Sequence, residues 1–279
     1  MTGGDLALSA DGSPGPEKLC ALSVVVPTRN EAPNVELLER RLAAALDGTS
    51  GGWELIFVDD SDDPTPEVIA RLASEGRPVR LLHRDKGSRG GGLGGAVHEG
   101  FGLACGSVLV VMDADLQHPP EVVPALVSPV LSGEAALVAG SRYGWAGADA
   151  GLAGPGRQLL SRTCRAVVHA LLPVSRPLQD PMSGLFAFRR SLLDGVTLEP
   201  EGYKILLEVT VRTRPAPVQN IGFDFAPRHA GRSKATLREG VVFLRHLARL
   251  VLVNSRSGAA AGKQTDRQSH RQEGEKAST

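Results

Sequence analysis

The sequence predicts an α/β fold built on a parallel sheet. Short apolar, β-branched runs alternate with helical patterns between residues 19 and 255. Polar side chains gather where those runs end. An apolar fraction of 42% is ample for the packed core such a sheet needs.

The first strand is read over Leu22 to Val26 and closes on Pro27. Val35, Leu38, Leu42 and Leu46 then recur at helical spacing, so the next helix buries one face. A second strand, Leu55 to Val58, runs into Asp59 and Asp60, after which Thr65 as N-cap and Pro66 at the first helical position open a helix. Val68, Ile69 and Leu72 point that helix inward. Val79 to Leu82 is a third strand. The glycine-rich run Gly90 to Gly95 precedes a helix reaching about Ala104, and Val108 to Met112 is a buried strand ending in Asp113-Ala114-Asp115. Leu137 to Ala139 ends likewise in Gly140-Ser141-Arg142. Open α/β sheets bind ligands at the carboxyl ends of their strands, so these polar termini are where a site is expected.

Residues 1–18 and 256–279 are small and polar and are expected to be disordered tails around one folded domain at 19–255. The first eighteen residues lack a basic stretch and an apolar stretch, which predicts no secretory signal and a cytoplasmic chain. Lys plus Arg and Asp plus Glu number 31 each, so no overall charge points to nucleic acid. Cys20, Cys105 and Cys164 lack paired spacing and are read as small buried hydrophobes, not disulfide or zinc ligands. Val241 to Val253 is the longest apolar stretch near the end. Arg245, His246 and Arg249 interrupt it, and it is shorter than the roughly 20 residues needed to span a bilayer.

The sharpest chemical signal is Asp113-Ala114-Asp115-Leu116-Gln117-His118-Pro119-Pro120 after a buried strand. If the chain stays extended, Asp113, Asp115 and Gln117 present oxygens on one side while Ala114 and Leu116 point away. Mg²⁺ or Mn²⁺ takes such ligands and completes its shell with water and substrate phosphate. A capped turn is the alternative, and it accounts for one aspartate but not for two flanking an alanine. His118 is read as shaping the turn. Asp59-Asp60 can bind a base or ribose, or cap a loop, with little to choose between them. Gly90 to Gly95 is weakly compatible with a nicotinamide oxidoreductase, but it follows the third strand instead of the first. The segment 151–178 carries Arg157, Arg162, Arg165 and Arg176 beside Leu159, Leu160, Val167, Val168, Leu171 and Leu172. It suits either a membrane-surface helix or a core helix with exposed arginines.

The ordered set Val24 to Glu31, Val58-Asp59-Asp60-Ser61, Asp113 to Pro120, Gly140 to Tyr143, Asp180 to Gly184, Phe186 to Arg190 and Gly202 to Glu208 resembles family 2 glycosyltransferases of the dolichol-phosphate or polyprenol-phosphate mannosyltransferase type. The resemblance covers about 22–240. It implies a GT-A fold with a mostly parallel central sheet flanked by helices, and a metal-dependent, inverting transfer. The donor it favours is GDP-mannose, with a UDP-sugar as the sister alternative, and the acceptor is a polyprenyl phosphate. A peripheral position at the cytoplasmic membrane face follows, with room for a separate membrane subunit. By the same resemblance Pro27, Arg29, Glu31, Val58 and Asp60 line the nucleotide pocket. Asp113, Ala114, Asp115 and Gln117 surround the metal and diphosphate, with Arg142 nearby. Arg228 and Lys234 close over the phosphates, and Asp180 either orients the acceptor or caps the turn before Pro181. The chain departs from its relatives at Arg29, where they carry Tyr, and at Ser61-Asp62-Asp63-Pro64. A non-catalytic binding subunit is the reading from a different class, and the intact DxD argues against it.

Overall fold

The computed structural model describes residues 20–142, 155–224, 226, 229 and 240–255, with side chains in the 155–171 helix described from 161 onward. Arg157, Leu159, Leu160, Arg228, Lys234 and both expected tails lie outside the described residues or side chains.

The strands are β1 (Leu22–Thr28), β2 (Trp53–Asp59), β3 (Val79–His83), β4 (Val108–Val111), β5 (Leu137–Ser141), β6 (Phe186–Arg189) and β7 (Val218–Gly222). They form one sheet in the order β3-β2-β1-β4-β6-β5-β7. Every pairing is parallel except those of β6, which runs antiparallel between β4 and β5. The helices are α1 (Ala32–Ala45), α2 (Thr65–Ser74), α3 (Gly92–Leu103), α4 (Val123–Leu131), α5 (Pro155–Leu171), α6 (Ile205–Thr213) and a last helix, α7, at 240–255.

Strand alternation decides which helix covers which face. Leu22, Val24 and Val26 of β1 join Val35, Leu38 and Leu42 of α1, Ile69 of α2 and Leu126 of α4 in one core layer. Val25 faces the other way, with Val97 and Phe101 of α3 and Leu206 and Val209 of α6. Each such fully buried side chain contributes roughly 1.5–3 kcal/mol of apolar burial. Gly100 lets α3 press onto the sheet, since a Cβ there would sit 2.4 Å from Val25 Cγ1. A third cluster joins Val168 and Leu172 to Leu207 and Val211 of α6 and Leu247 and Leu250 of α7. Of the 151–178 segment, α5 packs on the core through Val168, while Val167 and Leu171 stay 44% and 46% exposed.

The expected elements are present with shifted ends. β1 runs through Pro27 to Thr28, because Pro27 lies past the pairing of Val25 with Val111, the last with β4, where its missing N–H leaves no ladder bond unmade. At α2 the N-cap is Pro64, not Thr65; the Thr65 hydroxyl instead donates to Asp63 and accepts from the Glu31 amide at 2.9 Å. The antiparallel β6 and the edge strand β7 had no sequence reading.

Candidate functional site

The carboxyl ends of β1, β2 and β3 build a polar shelf. Asp59 is fully buried and accepts from Thr28 Oγ1 at 2.7 Å and Ser61 Oγ at 2.5 Å, with His83 Nδ1 at 2.7 Å. It is a structural hub for the loop. Asp60 receives Arg84 through Nε at 2.8 Å and Nη2 at 2.6 Å, a two-pronged pairing. Arg84 is buried at 2% exposure, also reaches Glu99 at 2.8 Å, and donates to the Gly90 and Gly92 carbonyls. The arginine thus sets the Asp60 carboxylate and anchors the start of α3 together. It was overlooked in the sequence, although His83-Arg84 stands at the end of β3 by the same rule that picked out the other strand ends.

Of the other residues assigned to the nucleotide, Glu31 is buried and accepts from Asn34 Nδ2 at 2.6 Å, while Arg29 is exposed beside it. Pro27 and Val58 are buried strand residues, and Val58 packs in the core beside Val25. Any contribution of Val58 to a pocket is through its backbone.

At the end of β4 the chain does not continue extended. Residues 114–118 form a turn in which Leu116 has φ 62°, so the alternation expected of a strand does not apply. Ala114 and Leu116 do enter the core. Asp115 is buried and accepts from the Gln117 amide at 3.0 Å; the Gln117 side chain donates to the Ala226 carbonyl at 3.4 Å. Asp113 keeps a side chain that is 38% exposed. His118 lies beneath it, with Nδ1 accepting from the Asp113 amide at 3.4 Å and its ring edge-on to Phe223 at 5.4 Å. Burial pushes the His118 pKa down, against the opposing pull of Asp113 and Asp115, and the ring packs inside the turn. Gly184 makes room for the Asp113 carboxylate: a Cβ there would lie 2.8 Å from Oδ2. Hard oxygen donors with one carboxylate open to a cavity fit a Mg²⁺ or Mn²⁺ that shares its shell with phosphate.

That cavity, about 140 Å³, lies between Asp113, Arg142, Gly184 and Lys204. Arg142, at the end of β5, is held by Asp180 through Nε at 2.7 Å and Nη2 at 3.3 Å. Asp180 is fully buried and its Oδ1 also accepts from the Met182 amide. It therefore orients Arg142 and caps the turn at Pro181, the second of the two roles read for it. Lys204, at the start of α6, also lines the cavity.

The glycine run belongs to this wall. The Gly94 amide donates to the Gly202 carbonyl at 2.6 Å, and a Cβ on Gly91 or Gly94 would stand 3.0 Å from the Pro200 or Gly202 carbonyl oxygen. Close backbone approach, not dinucleotide binding, explains these glycines. Glu208 holds the same loop by accepting from the Glu199 amide at 2.7 Å, while Arg245 pairs with Glu201.

The cysteines are half-buried rather than buried. Cys20 and Cys105 come together with Glu54 at the opposite end of the sheet, ligand atoms within 4.8 Å of one another, which their spacing concealed. Glu54 is already engaged there by Ser23 at 2.6 Å, the Cys105 amide at 2.7 Å and Arg80 at 3.0 Å.

Residues 23–195 match the model of the family described as glycosyl transferase family 2. The chain belongs to that family. Its relatives include a dolichol-phosphate mannosyltransferase of Pyrococcus furiosus, 40% identical over 82% of this chain and 63% of that protein. The Saccharomyces cerevisiae protein of the same name is 35% identical over 82% of this chain and 86% of its own. The match thus spans less than two thirds of the archaeal relative's length and most of the yeast one's. Among solved structures, glucosyl-3-phosphoglycerate synthase from Mycobacterium tuberculosis, in complex with Mn²⁺, UDP and glucosyl-3-phosphoglycerate, superposes with a TM-score of 0.61 at 26% identity, covering 84% of this chain and 80% of that one. The expected glycosyltransferase fold, a mostly parallel sheet flanked by helices, is present.

Proposed function

We propose that this family 2 glycosyltransferase moves a mannosyl residue from GDP-mannose to a polyprenyl phosphate with inversion. The observation that carries the reading is the cavity beside the DxD, where the open Asp113 carboxylate faces two cations, Arg142 and Lys204. The names of the 35–40% identical relatives support the sugar and the lipid acceptor.

Under this reading Asp60, set by Arg84, and Glu31 hold the nucleoside with Pro27, Arg29 and the Val58 backbone. Asp113, Asp115 and Gln117 would hold Mg²⁺ or Mn²⁺. A bound divalent ion supplies Lewis-acid stabilisation of the charge that develops on the leaving diphosphate. Arg228 and Lys234 add fixed positive charge from the segment that links β7 to α7. An acceptor phosphomonoester has its second pKa near ~6 and is largely ionised at neutral pH, so the chain needs no general base. Its task is to orient that anion, and Arg142, locked by Asp180, does so.

Access to a lipid acceptor is supported by apolar side chains that face outward. Val241, Leu244 and Leu252 of α7 are 67%, 63% and 61% exposed, and lie along one stripe of the helix. Among the described residues no helix is long and apolar enough to cross a membrane. A peripheral position at the cytoplasmic face, with or without a membrane subunit, accords with both.

The test is a donor panel with a short polyprenyl phosphate and Mn²⁺ or Mg²⁺. Transfer from GDP-mannose in excess over UDP-glucose is expected. Transfer from UDP-sugars alone overturns the donor assignment, and binding without transfer from any sugar nucleotide overturns the catalytic one.

A further inference from the structure

Among the described residues Lys204 is a cation without a matching anion. Its Nζ donates to the Met182 carbonyl at 2.9 Å and sits 4.3 Å from the Tyr203 ring centre. Among the described residues no carboxylate pairs with it within ion-pairing distance. Arg142 differs, being matched by Asp180 at 2.7 Å. Lys204 is part-buried, and an ammonium partly withdrawn from water is unfavourable unless charge or hydrogen bonds replace the lost hydration. Desolvation pushes the Lys204 pKa down to about 8, and the Arg142 charge pushes it the same way. Two of its three donors remain for a ligand, since one serves Met182.

The missing anion can be placed by topology. The nucleoside shelf lies at the ends of β1, β2 and β3, on one side of β4. Arg142 ends β5 on the other side of β4, the Met182 carbonyl that holds the Lys204 ammonium lies just ahead of β6 on that side, and Asp113 stands at the end of β4 between the two halves. A donor diphosphate held at Asp113 and Asp115 arrives from the first side. The anion that meets Lys204 therefore arrives from the second, as the other substrate. The start of α6 adds backbone amides that no side chain caps, and Ile205 also lines the cavity.

We infer that Lys204 binds the phosphomonoester of the acceptor, its ammonium and the Arg142 guanidinium gripping the phosphate in the cavity beside Asp113. The inference rests on the reading of the chain as a transferase to a phosphate acceptor and adds the residue that recognises it. The lipid tail contributes no chemistry to this grip, so a lipid phosphate and a small phosphomonoester engage it alike.

The experiment compares wild type, Lys204→Met and Lys204→Arg as full chains. With GDP-mannose saturating and a short polyprenyl phosphate varied, Lys204→Met is expected to raise the acceptor KM at least tenfold, and Lys204→Arg to recover part of that loss. GDP affinity in the presence of Mn²⁺ should stay within twofold in both. An unchanged acceptor KM, or GDP affinity falling in parallel, overturns the inference. Calorimetric titration of wild type and Lys204→Met with glycerol phosphate and with inorganic phosphate, both with GDP and Mn²⁺ present, reads the lysine apart from the lipid. Weaker binding to the variant supports the grip even if polyprenyl phosphate proves not to be the acceptor, and equal binding overturns it whatever the acceptor.

Discussion

Substitution of Gly184 offers the sharpest test of the proposed metal site, because it perturbs Asp113 without removing it. A Cβ at residue 184 would stand 2.8 Å from Asp113 Oδ2 and 3.2 Å from both Cγ and Oδ1, about 0.6 Å short of the 3.4 Å at which ordinary contact begins. No positive φ is recorded for Gly184, so alanine adds no backbone strain. The atoms it strikes belong to the end of a side chain that is 38% exposed and can turn aside. The folding penalty should thus be about 1 kcal/mol or less, within the range of tolerated substitutions. The displaced carboxylate matters far more to chemistry. Misplacement of a reacting group by about 1 Å can lower rate by about 100-fold, so a shift of several tenths of an ångström is expected to lower turnover on the order of 10-fold or more. Gly184→Ala should also need more Mn²⁺ for half-maximal transfer, while its thermal midpoint moves by only a few degrees. The assay is a Mn²⁺ titration of the proposed mannosyl transfer beside thermal unfolding, with Asp115→Ala as the variant expected to lose transfer altogether. Wild-type metal dependence and turnover in Gly184→Ala would refute Asp113 as a ligand.

Asp180→Ala should destabilise the fold by about 3 kcal/mol, because it strips a two-pronged partner from a largely buried arginine; denaturant unfolding would measure this, and a loss under about 1 kcal/mol would show that other groups suffice to hold Arg142. Arg228→Ala and Lys234→Ala are each expected to lower transfer by on the order of 2–4 kcal/mol of transition-state stabilisation with little change in unfolding, so unchanged turnover would return both to the status of solvated charges. Lys204 predicts a pH effect of definite sign. Its folded pKa of about 8 lies below the ordinary 10.5, so the folded state binds fewer protons between those values and wild-type stability rises across that window as pH climbs. The penalty is complete below about pH 8, where Lys204→Met should gain up to about 3 kcal/mol relative to its position above pH 10.5; a difference between the two proteins that does not vary with pH would contradict a desolvated ammonium.

The sheet's first half was legible in the chain because its information is local. β1 to β4 and the helices between them repeat a short-range pattern of apolar strand, polar end and amphipathic helix, and Val35, Leu38 and Leu42 are buried as their spacing demands. The DxD was legible for the same reason, since two carboxylates beside a buried strand are conspicuous whatever lies around them. The antiparallel β6 was not. Phe186–Arg189 is a short apolar run whose direction depends on β4 and β5, far from it in sequence.

What only the tertiary structure decided are pairings across distance and the burial of charge. Sequence alone determined that Asp60, Arg142 and Asp180 were polar residues near strand ends or turns, and the resemblance placed them near substrate. It took the fold to lock Asp60 to Arg84 and Arg142 to Asp180, which makes Asp180 a support for Arg142. The same holds for the turn at 114–118, where a left-handed Leu116 replaces an extended strand. Lys204 was visible as one residue in a motif, but its missing anion was not. A solvent-exposed lysine needs no partner, and only packing that removes water from the ammonium makes the absence of a carboxylate meaningful. Local pattern determines which residues fold into strand and helix. Charge balance is a property of the space the strands enclose, and that space exists only after the chain has folded.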